Sequence, residues 1–244
     1  TLDGFNVFLI SELASEKNIR VLLSGLGGDE ILGSYPSFRL LPLIWKLRYL
    51  VKPISYVLRF LRNMKIFNMP FKLLKFSEID LSSFVRLYLW YRSILTDKVL
   101  YNKKNIYASR DSILKKVEKS IPKINNLPIC AQISFLETFF YMRSQLLKDG
   151  DNFSMVNSVE LRTPFVDIDV YKSLLPFMNG KLKKKSELAH MFFPKEVTIQ
   201  MALDKKKSFS TNVIDIFLEG LDSRSLENDR ILYLNKIYSH YDRH

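Results

Sequence analysis

The residues Ser24 to Glu30, SGLGGDE, carry the pattern closest to chemistry in this chain. Gly25, Gly27 and Gly28 cluster there, and glycine tolerates positive φ and close approach of the backbone to a ligand. Successive N–H groups of such a turn can point into one concavity and hold phosphate oxygens. Asp29 and Glu30 follow at once, and carboxylates beside phosphates suit Mg2+, which keeps oxygen ligands and bridges to phosphate. The string fits neither GxxxxGK[ST] nor GxGxxG. From spacing alone, a phosphate or magnesium site therefore stands beside the plainer reading of a tight turn.

The elements that must position this loop are legible on both sides of it. Asp3 stands where an N-cap would, before the apolar run Phe5, Phe8, Leu9 and Leu13, so a helix is predicted from about Gly4 to Glu16. Lys17 and Asn18 make a turn. Ile19 to Leu23 is short, apolar and β-branched at Ile19 and Val21, the signature of a buried parallel strand. The carboxyl end of such a strand is where α/β folds place ligands. Beyond the loop no convincing second strand is found, and one strand cannot make a sheet. Two basic amphipathic helices are predicted between Pro36 and Asn63, separated near Pro53. Further helices are predicted over Glu78–Leu95, Ser109–Lys119, Ile129–Lys148, Asp167–Pro176, Ser186–Phe193 and Asn212–Glu219. A charged tail runs from Ser223 to the end.

The fold class expected is of α/β ancestry but mostly α-helical, with one clear parallel strand followed by a helical C-terminal region. The domain division expected is 1–222 and a tail at 223–244. The 244 residues are 47% hydrophobic and 25% charged, a globular composition and not a disordered one. The formal charge of +12 is compatible with a phosphate-bearing partner, or with a generic solvated basic surface, since Lys is spread through the chain. One cysteine, Cys130, excludes an intramolecular disulfide and points to a reducing cytoplasm. Its apolar setting, PICAQISF, reads as a small buried hydrophobe and not a nucleophile. His190, His240 and His244 show no metal spacing. The most apolar stretch, Leu40 to Leu61, is interrupted by Lys46, Arg48, Lys52 and Arg59, so no membrane span is expected.

Three longer strings, in order, carry a resemblance. RVLLSGLGGDEILGSYPSF (Arg20–Phe38) resembles the segment of asparagine synthetases that reads VLSG-x-GGDELFGGYP. LLKDGDNFSMVNSVELRTPFVD (Leu146–Asp167) resembles LL-x-x-x-D-R-x-SMAHSLEVRVPFLD. KKKSFS (Lys205–Ser210) resembles RPKKGFS, and Asp3, Gly4 and Asn6 match the DGLN before the first string. The resemblance implies the C-terminal part of an ATP-pyrophosphatase-type synthetase domain. It implies a reaction in which ATP activates a carboxylate as an acyl-adenylate, pyrophosphate leaves, and ammonia displaces AMP. ATP and Mg2+ are the implied cofactors. The implied partners are a carboxylate substrate and a glutaminase domain or other ammonia source, with no nucleic acid.

Residue by residue, Asp29 matches the family's magnesium and pyrophosphate aspartate, and Ser24, Gly25, Gly27 and Gly28 match its turn. Asp151 and Glu160 match the acidic pair of the second string, on the acceptor side, and Lys206, flanked by Lys205 and Lys207, matches the lysine that neutralises charge on the adenylate. Plainer readings exist: Glu160 with Arg162 as a surface pair, Asp151 as a helix cap, Lys206 as a solvated loop residue. Pro164, Phe165 and Asp167 are expected to shape a turn, and Tyr35 to pack.

The departures are informative. The family's ATP loop, SGGxDS, does not occur here and is expected upstream of Thr1, which makes the isolated chain an inactive portion of a longer or split enzyme. Leu26 stands where asparagine-making members carry Glu and β-lactam-forming members Tyr, and leucine does no acid–base chemistry. Asn152, Phe153, Val156 and Asn157 also differ from the pattern. Two other readings are carried forward: a non-catalytic remnant or binding module of the same ancestry, and a basic membrane-surface protein using Pro36 to Lys72.

Overall fold

The computed structural model describes residues 2–64, 70–93 and 107–174. The predicted helices 186–193 and 212–219, the tail from Ser223 and the lysines 205–207 lie outside the described residues.

The first helix, α1 (Leu2–Glu16), begins earlier than predicted. Asp3 is therefore inside its first turn and not at the N-cap, and its carboxylate accepts from Tyr141 Oη at 3.1 Å and Gln145 Nε2 at 3.4 Å. The turn after α1 closes through Asn18 at φ 58°, a left-handed conformation that Asn tolerates better than most residues. Strand β1 (Val21–Leu23) follows.

A second strand exists where none was predicted. β2 (Glu160–Arg162) pairs with β1 in parallel, in the register Val21 to Glu160, Leu22 to Leu161 and Leu23 to Arg162. Its three residues read charged, apolar, charged, too short a run to give a period-two signal. The expectation that β1 is buried is corrected as well. Successive strand side chains face opposite ways, and only Leu22 turns inward, while Leu23 is 77% exposed and Val21 is exposed too.

The rest of the described chain is helical. After the short α2 (Gly28–Leu32) come α3 (Ser37–Lys46) and α4 (Arg48–Asn63). The break between these falls at Leu47 and not at Pro53, which sits inside α4 at an exposed position. There a proline gives up one helical N–H bond without disturbing core packing. A helix that was not predicted, α5 (Phe71–Ser77), comes next, and of the predicted helix Glu78–Leu95 the described residues form α6 (Phe84–Arg92). Ser83 caps α6 by accepting from the Arg86 N–H, as a hydroxyl N-cap should. Lys75 reaches the other end of α6 and donates to the carbonyls of Tyr91 and Ser93 at 3.0 and 2.9 Å.

Helix α7 covers Tyr107–Ser120. A continuous helical run then comprises α8 (Ile129–Leu136), a π-helical stretch Glu137–Leu146 and α9 (Leu147–Val156). A 3-10 turn at Pro164–Val166 leads into α10 (Ile168–Leu174). Asp167 caps α10, its Oδ1 accepting from the N–H groups of Asp169 and Val170, the turn-shaping role expected for it.

The core lies among α3, α6 and α8, where Leu41, Leu87, Tyr88, Ile133 and Leu136 are fully buried. Cys130 packs at its edge, half-buried, and burial pushes its thiol pKa up. At the start of the π stretch, Glu137 is fully buried. Its Oε1 accepts from Ser37 Oγ at 2.5 Å, and its Oε2 accepts from Tyr88 Oη at 2.8 Å and from the Arg92 guanidinium. A buried carboxylate is tolerated only when paired and hydrogen-bonded in this way. No described helix is long and apolar enough to cross a membrane.

Candidate functional site

The loop Ser24–Gly28 leaves the carboxyl end of β1, and the β1–β2 ladder runs directly into it, because the Ser24 N–H donates to the Arg162 carbonyl at 2.8 Å. Inside the turn the Leu26 N–H donates to Ser24 Oγ at 3.2 Å and the Gly28 N–H to the Gly25 carbonyl at 3.1 Å. These two amides are satisfied by the turn itself, so a phosphate would be met by others.

The glycines have distinct reasons to be glycine. Gly27 sits at φ 93°, where a side chain is strained, and a Cβ there would lie 3.0 Å from Val166 Cγ2 and 3.2 Å from Phe165 Cβ. Gly27 therefore lets the loop press against the Pro164–Val166 turn. A Cβ on Gly28 would lie 3.7 Å from Phe165 Cδ2, an ordinary van der Waals distance. A Cβ on Gly25 would meet nothing within 4 Å, so that side of the loop is open.

The two carboxylates after the glycines part ways. Glu30 is buried and accepts from Tyr35 Oη at 2.8 Å. Burial raises its pKa, opposed by the Tyr35 hydrogen bond and reinforced by Asp29 and Glu137. Burial likewise raises the pKa of Tyr35, and the Glu30 carboxylate raises it further. Tyr35 thus does more than the packing expected of it. It also stacks edge-on against Tyr141, whose hydroxyl burial pushes up to about 12, and lies under the Arg92 guanidinium. Asp29 is half-buried, and of the pair it is the more accessible carboxylate.

The second string arrives at the same place along α9 and β2. A Cβ on Gly150 would lie 3.0 Å from Leu161 Cδ2 and 3.5 Å from Leu26 Cδ1. Gly150 thereby lets α9 approach the sheet and the loop together, while its neighbour Asp151 is exposed. Leu26 fills the space between loop and helix.

Glu160 is placed differently. The register sets it beside Val21, two residues before the end of β1, about 7 Å of strand rise short of Leu23. Its carboxylate takes a bidentate grip from Arg162, at 2.9 and 3.2 Å, and the guanidinium lowers its pKa. Both side chains are exposed on the same sheet face as Val21 and Leu23. Ser24, Gly25, Leu26, Gly27, Gly28 and Asp29 thus form the loop and its exit, Asp151 is exposed on α9 one residue after the Gly150 that meets Leu26, Glu160 lies along the strand from the loop, and Lys206 lies outside the described residues.

Among the described residues no three His, Cys, Asp or Glu side chains converge as a metal cage. A single carboxylate at an open glycine turn fits the way Mg2+ is held by one or two carboxylates and substrate phosphates. Sequence reading missed β2, the Phe165–Val166 contact with Gly27 and the inward turn of Glu30. The Gly-Gly pair was the only local signal for the second of these.

Comparison with known families finds that the model described as asparagine synthase matches residues 3–186. No curated protein and no solved structure matches the chain.

Proposed function

The chain belongs to the asparagine synthase family, and on that premise we propose that it is the C-terminal portion of an ATP-dependent, amide-forming carbon–nitrogen ligase. The observation that supports this reading best is the convergence of two distant strings: the Ser24 N–H on the Arg162 carbonyl, Gly27 on Phe165 and Val166, and Gly150 on Leu26. A turn open at Gly25 with Asp29 beside it is suited to the pyrophosphate end of the nucleotide. When bound there, Mg2+ would neutralise phosphate charge. The Asp29 carboxylate would hold it, the turn amides not already satisfied would orient the phosphate oxygens, and Lys206 would add the cation that such a leaving group needs. Asp151 and Glu160 would serve the carboxylate substrate. The rest of the ATP site and the ammonia source, a glutaminase domain in the complete enzyme, would be supplied by residues outside these 244.

The test is titration calorimetry with Mg2+–pyrophosphate, comparing the chain with its Asp29→Ala variant. Binding that weakens by about tenfold or more in the variant supports the reading, since one charge-assisted contact accounts for that much. No binding by the parent chain, or equal binding by both, overturns it. The chain alone is expected to form no AMP above the Asp29→Ala control.

A second reading, a non-catalytic module of the same ancestry, is favoured by one observation: Leu26, at the position that handles the nitrogen's proton in the family, is packed toward Gly150. Binding of Mg2+–pyrophosphate without amide formation, once the complementary segment and ammonia are supplied, would select it.

A further inference from the structure

We propose that the outward face of α4 is a docking surface for an anionic lipid bilayer, on which the helix lies flat. The inference is independent of the ligase reading and concerns a different part of the molecule.

Residues 31–77 contain nine Lys and Arg and no Asp or Glu. Within this stretch α4 buries only Ser55. At 3.6 residues per turn, Tyr49, Phe60, Met64, Val57, Leu50 and Ile54 fall in one continuous arc of the helix. All six are exposed, Tyr49 by 75%, Leu50 by 66% and Phe60 by 60%. Lys52 and Arg59 flank that arc on one side and are exposed as well, Arg59 also donating from Nε to the Ser77 carbonyl at 3.3 Å. The opposite side of α4 is the one that packs, with Arg62 paired to Glu78 of the α5–α6 connection at 2.9 Å.

An arc this wide, apolar and aromatic, with bases along one side and no acid, needs a partner that is both greasy and negatively charged. A bilayer with anionic headgroups supplies both. The aromatic and aliphatic side chains enter the headgroup–acyl boundary, and the bases meet the phosphates, their stems lying along the apolar surface. At sixteen residues the helix is about 24 Å long. It is suited to lying in the interface plane, a property that the absence of a spanning helix among the described residues leaves untouched. A second copy fits less well, because a two-fold contact through this face would set an acid-free helix against itself. Nucleic acid would meet the bases but leave the apolar arc bare.

The test is flotation of the full 244-residue chain with vesicles of equal parts phosphatidylcholine and phosphatidylserine, against vesicles of phosphatidylcholine alone. The chain is expected to float with the anionic vesicles, to bind the neutral ones far less, and to be released by molar salt. Charge reversal by Lys52→Glu with Arg59→Glu is expected to weaken partitioning by about 25-fold or more, since each surface base contributes about fivefold. Leu50→Ser with Phe60→Ser is expected to weaken it by at least tenfold. Circular dichroism checks that both variants fold. Should either fail to fold, the lipid and salt comparison on the parent chain decides alone. Equal binding to neutral and anionic vesicles, no binding to either, or full binding by a folded variant overturns the proposal. So does a dimer formed through this face without vesicle binding.

Discussion

The helical body around Glu137 and the strand-end region around Gly27 are built on opposite terms. In the body, a carboxylate with no exposure is matched by three partners, and the apolar side chains of α3, α6 and α8 close over it. In the strand-end region, two three-residue strands carry an outward face of Val21, Leu23, Glu160 and Arg162, and the loop is open beside Gly25. The first region is complete in itself. The second has shaped its backbone for close contacts and left one face uncovered. Stability should therefore reside in the body and ligand sensitivity at the strand end.

Substitutions can break that contrast. The largest effect is expected from Glu137→Ala, which strands the Arg92 guanidinium and the Tyr88 and Ser37 hydroxyls; the loss should be ~3–5 kcal/mol, read from the denaturant midpoint. A loss below about 1 kcal/mol would mean that the network is not what organises the body. Next comes Gly27→Ala, which forces a side chain into a left-handed conformation and against Val166 and Phe165. It should destabilise by about 1–2 kcal/mol and weaken Mg2+–pyrophosphate. Gly25→Ala, with open space around it, should cost under about 0.5 kcal/mol. Equal effects at the two glycines would show that the loop is not pressed onto the second string.

Glu30 ties the two regions together and sets a pH dependence. Burial raises its pKa above the ordinary value of 4.5, so the folded chain binds that proton more tightly than the unfolded chain does. The stabilisation is complete below pH 4.5 and is lost as pH rises through the raised value. Glu30→Gln should flatten that slope in thermal melts between mildly acidic and neutral pH, and an unchanged slope would assign it to other groups. The smallest effect is expected at the sheet face. Leu23→Lys should leave stability within about 0.5 kcal/mol while raising the monomeric fraction in size-exclusion chromatography. That change follows if the uncovered edge and face drive self-association of the isolated chain.

Much of the helical content was legible because α1, α4 and α8 carry apolar residues at helical spacing over two or more turns. The glycine loop was legible because three glycines before two carboxylates are unusual wherever they occur. The strand β2 was not, since Glu160–Arg162 offers a single inward side chain and owes its pairing to β1 far away in the sequence. Nor was the Leu47 break, where neither flanking helix has a side-chain cap to announce it.

The sequence by itself determined the family, the helical majority and the place of the strand-end loop, because each is written in residues close together. Only the tertiary structure decided that Glu30 turns inward while Asp29 stays at the loop, that Glu160 is held by Arg162, and that Gly27 and Gly150 serve contacts with the second string and with Leu26. Adjacent residues of like chemistry differ only in what surrounds them. Burial and partners are set by parts of the chain that local pattern does not reach.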